Sequence, residues 1–179
     1  MPPPLAEGYP PQYESRLMLK NGREVLLRPI LPTDGPLLVD LFKRMSAQSL
    51  FLRFLRPMPA LPDTLLYRFT HVNYESEFAL VAVSNEEGHD ALIAVGRYAQ
   101  EYPGGLADLA LAVRDDWQQV GLGKALLKTL IEIGKAHGLV RFGSMMDPRN
   151  QRMQHLLVEL GYEVKYSVQS GFFQVEILV

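Results

Sequence analysis

One stretch limits the folds open to this chain more than any other: Val113 to Leu127, Val-Arg-Asp-Asp-Trp-Gln-Gln-Val-Gly-Leu-Gly-Lys-Ala-Leu-Leu. An apolar run, Leu109 to Val113, leads into it. Leu122, Ala125, Leu126, Leu130 and Ile133 lead out at helical spacing, on one amphipathic face. The stretch reads as strand, turn and helix, with Gly121 and Gly123 at the helix entrance. Free backbone N–H groups at a helix start bind anions, and glycine lets an anion approach the backbone closely. The first expectation is therefore a phosphate or pyrophosphate cradle.

Two common cradles do not fit. A Walker loop needs four residues between its first glycine and a Gly-Lys pair, then Ser or Thr. Here one residue separates Gly121 from Gly123, and Ala125 follows Lys124. The dinucleotide fingerprint needs a third glycine where Leu126 stands. What remains, Gln-x-x-Gly-x-Gly from Gln118 to Gly123, resembles the acyl-CoA pyrophosphate loop of the GNAT N-acetyltransferases. A second match follows at Asn150 to Glu163, where Asn opens a helix ending in Leu160-Gly161-Tyr162. Met153, Leu156, Leu157 and Leu160 give that helix an apolar face, and Gly161 suits its C-terminal cap. The resemblance implies acetyl-CoA as acyl donor. It places the pyrophosphate on Gln118, Gln119, Val120, Gly121, Leu122, Gly123 and Lys124, and the pantetheine on backbone groups of Leu111 to Val113. Asn150 would touch the CoA arm, cap its helix, or do both.

Composition excludes several alternatives. The 179 residues suit one domain with a substantial core. A net charge of −2 gives no broad footprint for nucleic acid. There is no cysteine, so disulfides, a cysteine nucleophile and cysteine zinc ligands are out, and no metal site is expected. No apolar run approaches the ~20 residues of a membrane helix. The N-terminus lacks a basic, apolar signal region, so no membrane partner and a cytoplasmic location are expected.

Taken in order, residues 1–14 hold five prolines and read as a mobile leader or an arm on the surface, with a single domain over 15–179. Asn21-Gly22 predicts a tight I′ turn between strands 16–20 and 23–28. Thr33 or Asp34, Ser46 and Asp63 open three short helices. Strands are predicted over 78–83, 91–98 and up to Val113, then a helix to about His137, a strand over 140–146, the Asn150 helix, and a closing antiparallel pair over 162–168 and 172–178. This order gives an α/β (α+β) architecture: a mixed, mostly antiparallel central sheet with helices on both faces, as in the GNAT fold.

The front half narrows the resemblance. Leu27-Arg28-Pro29-Ile30-x-Pro-x-Asp34, Met45-Ser46-x-x-Ser49-Leu50-Phe51-x-Arg53-Phe54 and Phe69-Thr70-His71-Val72-Asn73-Tyr74-Glu75-x-Glu77-Phe78 are similar to the Pat-type protein lysine acetyltransferases of bacteria. That family often carries a fused nucleotide-binding or acyl-CoA-synthetase-like region. About fifteen residues precede the first predicted strand here, so regulation by such a region is not carried over. The resemblance implies direct acetyl transfer to an amine, with a protein lysine favoured as acceptor. It leaves a homodimer open.

A lysine ammonium must lose a proton before it attacks, so a general base is needed. Pat-type enzymes carry Ala-Glu-Phe-Ala on the strand before the cradle; this chain reads Ala107-Asp108-Leu109-Ala110. Asp108 is the first candidate, and Glu77 the second. Their plainer readings are a solvated aspartate at a strand start and a charge at a strand entrance. Many GNAT enzymes place a tyrosine acid seven residues after the asparagine, where Leu157 stands, so no general acid is assigned. Arg53, Arg56 and Arg97 read as surface arginines, or as contacts for an acidic substrate or the CoA phosphates. Two rivals stay open: a small-molecule amine acetyltransferase, and a non-catalytic acyl-CoA-binding module.

Overall fold

The computed structural model describes residues 5–179. Residues 1–4 of the expected leader lie outside that range. Residues 5–14 form an arm packed on the core. Tyr9 is buried, meets Tyr74 edge-on and donates from its hydroxyl to Glu14 (2.7 Å), and Tyr13 packs against Phe78.

Eight strands form one sheet: β1 (Ser15–Met18), β2 (Glu24–Pro29), β3 (Glu77–Glu86), β4 (His89–Gln100), β5 (Ala107–Val113), β6 (Arg141–Met146), β7 (Glu163–Gln169) and β8 (Phe172–Leu178). Their spatial order is β1-β2-β3-β4-β5-β6-β8-β7, antiparallel throughout except between β5 and β6. The first hairpin departs from the predicted turn. Only Gly22 has positive φ (79°), Leu19 N donates to Arg23 O, and Asn21 Oδ1 accepts from Arg23 N (3.1 Å). The loop is therefore three residues long with a glycine bulge, because the Asn21 side chain holds its own turn and leaves the left-handed position to Gly22.

Five helices cover the sheet: α1 (Gly35–Lys43), α2 (Ala47–Phe54), α3 (Asp63–Thr70), α4 (Leu122–Ala136) and α5 (Gln151–Leu160). Each face has its own core. Ile30, Leu38, Leu41, Phe42 and Phe69 meet Ala79, Val81, Val95 and Ala112 under α1–α3. On the opposite face α4 and α5 bury Leu122, Leu126, Leu130 and Leu157 against Leu80, Tyr98, Val175 and Ile177. Burying a leucine fully is worth roughly 1.5–3 kcal/mol, so the two leucines of α4 seated over Gly96 fix that helix firmly on β4.

Much of the family-like front segment proves to be scaffolding. Asp34 stands at the N-cap of α1 but makes no cap bond to it. Its carboxylate takes a fork from Arg28 (2.7 and 2.8 Å) and the Leu31 N–H (2.7 Å), locking the β2–α1 connection. Asn73 Oδ1 accepts from the N–H groups of Glu75 and Glu77, shaping the entry to β3. Ser46 caps α2 as its position predicts, accepting from Ser49 N at 3.1 Å.

Candidate active site

The parallel pairing of β5 with β6 is short: Ala107 pairs with Phe142 and Asp108 with Gly143. Beyond Asp108 the strands part, while β5 stays paired with β4 as far as Val113. Alternate peptide groups of Leu109 to Val113 thus face a wedge-shaped slot with no strand to bond them. Asp108 stands at the point of the wedge.

At the open end, β5 runs into the glycine loop. Gln119 and Gly121 both have positive φ (63° and 88°), which turns the chain sharply into α4. None of the backbone N–H groups from Gln119 to Lys124 donates to a group among the described residues. This run of free donors lies at the positive end of the α4 dipole, which suits a pyrophosphate. Gly123 packs on the β5 side chains. A Cβ there would stand 3.4 Å from Leu111 and 3.7 Å from Val113, so glycine keeps the helix start close to the strand.

Other expected CoA residues take parts of different kinds. Gln118 serves the loop's own shape. Its amide donates to Val113 O (2.9 Å), its carbonyl oxygen accepts from Arg152, and its backbone N–H donates to Asp115 O. Asn150 caps α5 through Oδ1 to Met153 N (3.2 Å). Lys124 pairs with Glu159 at 3.4 Å. Trp117 is buried with the Arg23 guanidinium 3.3 Å above its ring, anchoring the loop to the first hairpin. Two cations beside the cradle went unread in the sequence. Lys20 comes from the hairpin tip, with its side chain within 3.4–3.7 Å of a Cβ built on Gly121, and Arg152 comes from α5. Neither has a local spacing signal, because both arrive through tertiary packing.

The side of the candidate site where Asp108 and Glu77 stand is built from registered strands. Glu77, Ala99 and Asp108 are cross-strand partners on one face, and Ala79, Arg97 and Ala110 form the next row. The small, partly exposed side chains of Ala99 and Ala110 thus leave room beside the two carboxylates, while Ala79 is sealed in the core. Strands lie about 4.8 Å apart, so Glu77 is about 10 Å from Asp108, on the side away from the slot. Asp108 is exposed overall, but the protein packed around its carboxyl removes part of its hydration and raises its pKa above the usual range, and Arg53 and Arg97 oppose this in part. Arg97 is only 8% exposed, which corrects its reading as a surface arginine; Arg53 is half-buried, and Arg56 is exposed. Leu157, where many relatives have a tyrosine, is buried in the core and brings no hydroxyl to the slot.

Helix α2 joins the two ends of the site. Asp115, just after β5, accepts from Ser46 N (2.9 Å), Ser46 Oγ (2.8 Å) and Ser49 Oγ (2.9 Å). Burial would raise the Asp115 pKa, but these hydrogen bonds outweigh it and the carboxyl falls below its ordinary value. Arg53 follows Ser46 and Ser49 on the same helix and reaches the Phe69 ring, 5.6 Å from its centroid. The serines of the family-like segment therefore fasten the helix that carries Arg53.

Comparison with known proteins agrees with this geometry. The model of the acetyltransferase (GNAT) family matches residues 45–162. An acetyltransferase of Pseudomonas aeruginosa is 28% identical over 144 residues, covering 80% of this chain and 77% of the relative. Acetyltransferase Pat of Mycolicibacterium smegmatis is 28% identical over 146 residues, covering 81% of this chain but only 43% of that longer protein. The crystal structure of the GNAT domain of S. lividans PAT superposes with a TM-score of 0.86 at 29% identity, covering 96% of this chain and 99% of that one. The wedge between β5 and β6, the donor-lined cradle at the start of α4 and these matches together make the chain a member of the GNAT acetyltransferase family, whose acyl donor is acetyl-CoA.

Proposed function

We propose that the protein transfers the acetyl group of acetyl-CoA directly to the side-chain amine of a protein lysine, with Asp108 as general base. The observation that carries this reading is the position of Asp108 where β5 leaves β6. An acyl chain laid along the slot, with its pyrophosphate on the N–H groups of residues 119–124, brings its thioester toward that point. Asp108 takes a proton from the ammonium, directly or through one water. The free amine attacks the thioester carbon, the new C–N bond forms, and the C–S bond breaks to release CoA as thiolate. Peptide groups of Leu109 to Val113 that face the slot donate to the carbonyl oxygen as it gains charge. The surplus amide proton passes to solvent or to the thiolate. Glu77, about two strand spacings from Asp108, holds charge at the rear of the pocket rather than taking the proton.

Two things favour a polypeptide acceptor. One is the similarity of the front segments to Pat-type lysine acetyltransferases. The other is access: α1–α3 pack over β2 to β5, whereas β6, β8 and β7 present Met145, Lys165 and Ser167 to solvent on that face. An acceptor reaching Asp108 from this side meets an open surface rather than a closed pocket. The test is thiol release from acetyl-CoA with a panel of lysine-bearing proteins, including an acyl-CoA synthetase, and small amines. Turnover with a mapped acetyl-lysine is the expected result. Turnover of small amines alone would replace the acceptor, and acetyl-CoA binding without turnover on any acceptor would make the chain a binding module.

A further inference from the structure

Arg97 and Arg53 share an unusual position. Both guanidinium groups lie near one aromatic ring, with their Cζ atoms 4.2 and 5.6 Å from the centroid of Phe69. Both border a gap of about 10 Å³, room for a single water, against the core side chains Ile30, Leu38, Phe42 and Val95, so an anion would meet them from their solvent side. Neither takes part in a salt bridge or hydrogen bond among the described residues, although arginine carries five N–H donors. The chain's other sheltered arginines are treated differently: Arg28 is forked onto Asp34, and Arg114 bonds both Asp116 and Glu86. Nor are the two groups sealed in. Among the described residues, the fully enclosed side-chain nitrogens without a partner are Arg114 Nη1 and Trp117 Nε1, so those of Arg53 and Arg97 keep some access to solvent. Asp108 and Glu77 flank Arg97 on the neighbouring strands, yet no carboxylate comes within 4.0 Å of it.

Asp108 and Glu77 act on these groups only through space, and leaving two partly desolvated guanidinium groups side by side without a hydrogen-bonded anion is costly. Burial lowers both pKa values to about 10, and in Arg97 the neighbouring Arg53 adds to the effect. A cation–π contact returns about 1–2 kcal/mol and supplies no acceptor for the N–H groups. The arrangement fits a bidentate anion that arrives from outside. A carboxylate is the group whose geometry matches the arginine fork, and Arg97 lies one residue row from the base. We infer that Arg53 and Arg97 form a recognition site for a carboxylate that the acceptor carries next to its reacting amine. This rests on the amine-acetylation reading above and specifies its substrate class. The carboxylate is an acidic side chain adjacent to the target lysine or the acid group of a small amino acid. The side-chain source is the one that agrees with a polypeptide acceptor.

The experiment compares matched acceptors on the full-length protein. The acceptors are blocked peptides containing Asp-Lys or Lys-Asp, the same peptides with asparagine, and 4-aminobutyrate against its amide. The expected result is a preference of about tenfold or more in kcat/KM for an acid over its amide, as a charged hydrogen-bonded pair supplies. That ratio should collapse to near one in both Arg97→Gln and Arg53→Gln, while the acetyl-CoA KM keeps its value. A ratio of two substrates measured on one preparation does not depend on how much of the variant is folded. Arg53, on a half-exposed helix face, provides a second route if Arg97→Gln folds poorly. Equal use of acid and amide by the wild type would overturn the inference and leave the acetylation reading standing. So would a preference that survives both substitutions. A raised acetyl-CoA KM with the ratio intact would reassign the arginines to the donor. Preference for 4-aminobutyrate over every peptide would keep the arginine site and remove the protein acceptor. Acetylation of no amine at all would bring down both readings.

Discussion

The two ends of the site are made of different material. The cradle is backbone: a run of free N–H groups held open by Gly121 and Gly123, with side chains mostly bracing the loop. The proposed acceptor side is side chain: two carboxylates and two arginines, brought together by the register of β3, β4 and β5 and by α2. A backbone site tolerates most substitutions but fails on glycine. A side-chain site fails one functional group at a time. Lesions at the two ends should therefore have separable kinetic signatures.

The largest effect belongs to Asp108→Asn. Loss of a general base should lower kcat by about 10²–10⁴. Acetyl-CoA affinity, read by titration calorimetry, should not change, because the cradle is built elsewhere. Full turnover in this variant would remove Asp108 from the chemistry. Next comes Gly121→Val. A β-branched residue at φ 88° carries left-handed strain, and its Cβ would stand 3.4 Å from the Lys20 side chain. Left-handed backbone costs roughly 1–2 kcal/mol for an ordinary residue, so the acetyl-CoA KM should rise about tenfold with kcat much less affected. An unchanged KM would mean that the loop does not hold the donor in this shape.

Smaller, and designed to break the separation, is Ser49→Ala. It removes one of the hydrogen bonds that fasten α2 to Asp115. Since α2 also carries Arg53, the acetyl-CoA KM and the acceptor KM should rise together, each by about two- to fivefold for a lost charged hydrogen bond. A change in only one of them would show that the helix does not couple the two ends. The smallest effect concerns stability. The Asp108 pKa is raised by burial, so the folded protein holds that proton more tightly than the unfolded chain does. The fold is favoured while Asp108 is protonated, and that advantage is lost as pH rises through the folded pKa. At pH 7, Asp108→Asn should therefore melt slightly higher than the wild type, and the difference should fade toward about pH 4, near the unfolded aspartate pKa. A lower melting point at pH 7 would contradict the burial argument.

The same contrast governs what the sequence revealed. Glycine spacing after an apolar run marked the strand–turn–helix and its free N–H groups because a backbone feature leaves its mark in adjacent residues. The Asn150 and Gly161 caps of α5 and the Ser46 cap of α2 were legible for the same reason. Arg97 was not, because its burial depends on Phe69 packing over β4 from α3, and no local pattern records that. Lys20 and Arg152 were hidden in the same way beside the cradle. The Asn21-Gly22 turn misled because an asparagine can either adopt the left-handed conformation or bond its own backbone, and here it does the latter. The front segment's similarity to Pat-type enzymes was real, but Arg28, Asp34 and Asn73 within it proved to hold the scaffold.

The order β6-β8-β7 has a consequence for how the slot comes into being. One wall, β5, belongs to a run of neighbouring antiparallel strands that can pair as they leave the ribosome. The other wall, β6, is paired along its length only by β8, which follows all the other strands of this sheet in the chain. During synthesis the first wall waits for the second, and the donor cannot bind to hasten folding until β8 emerges. A chain halted at Gly171 should gain no thermal stabilisation from acetyl-CoA, even with every cradle residue present. The proposed binding site is thus timed by β8, although that strand lies beyond β6 from the loop.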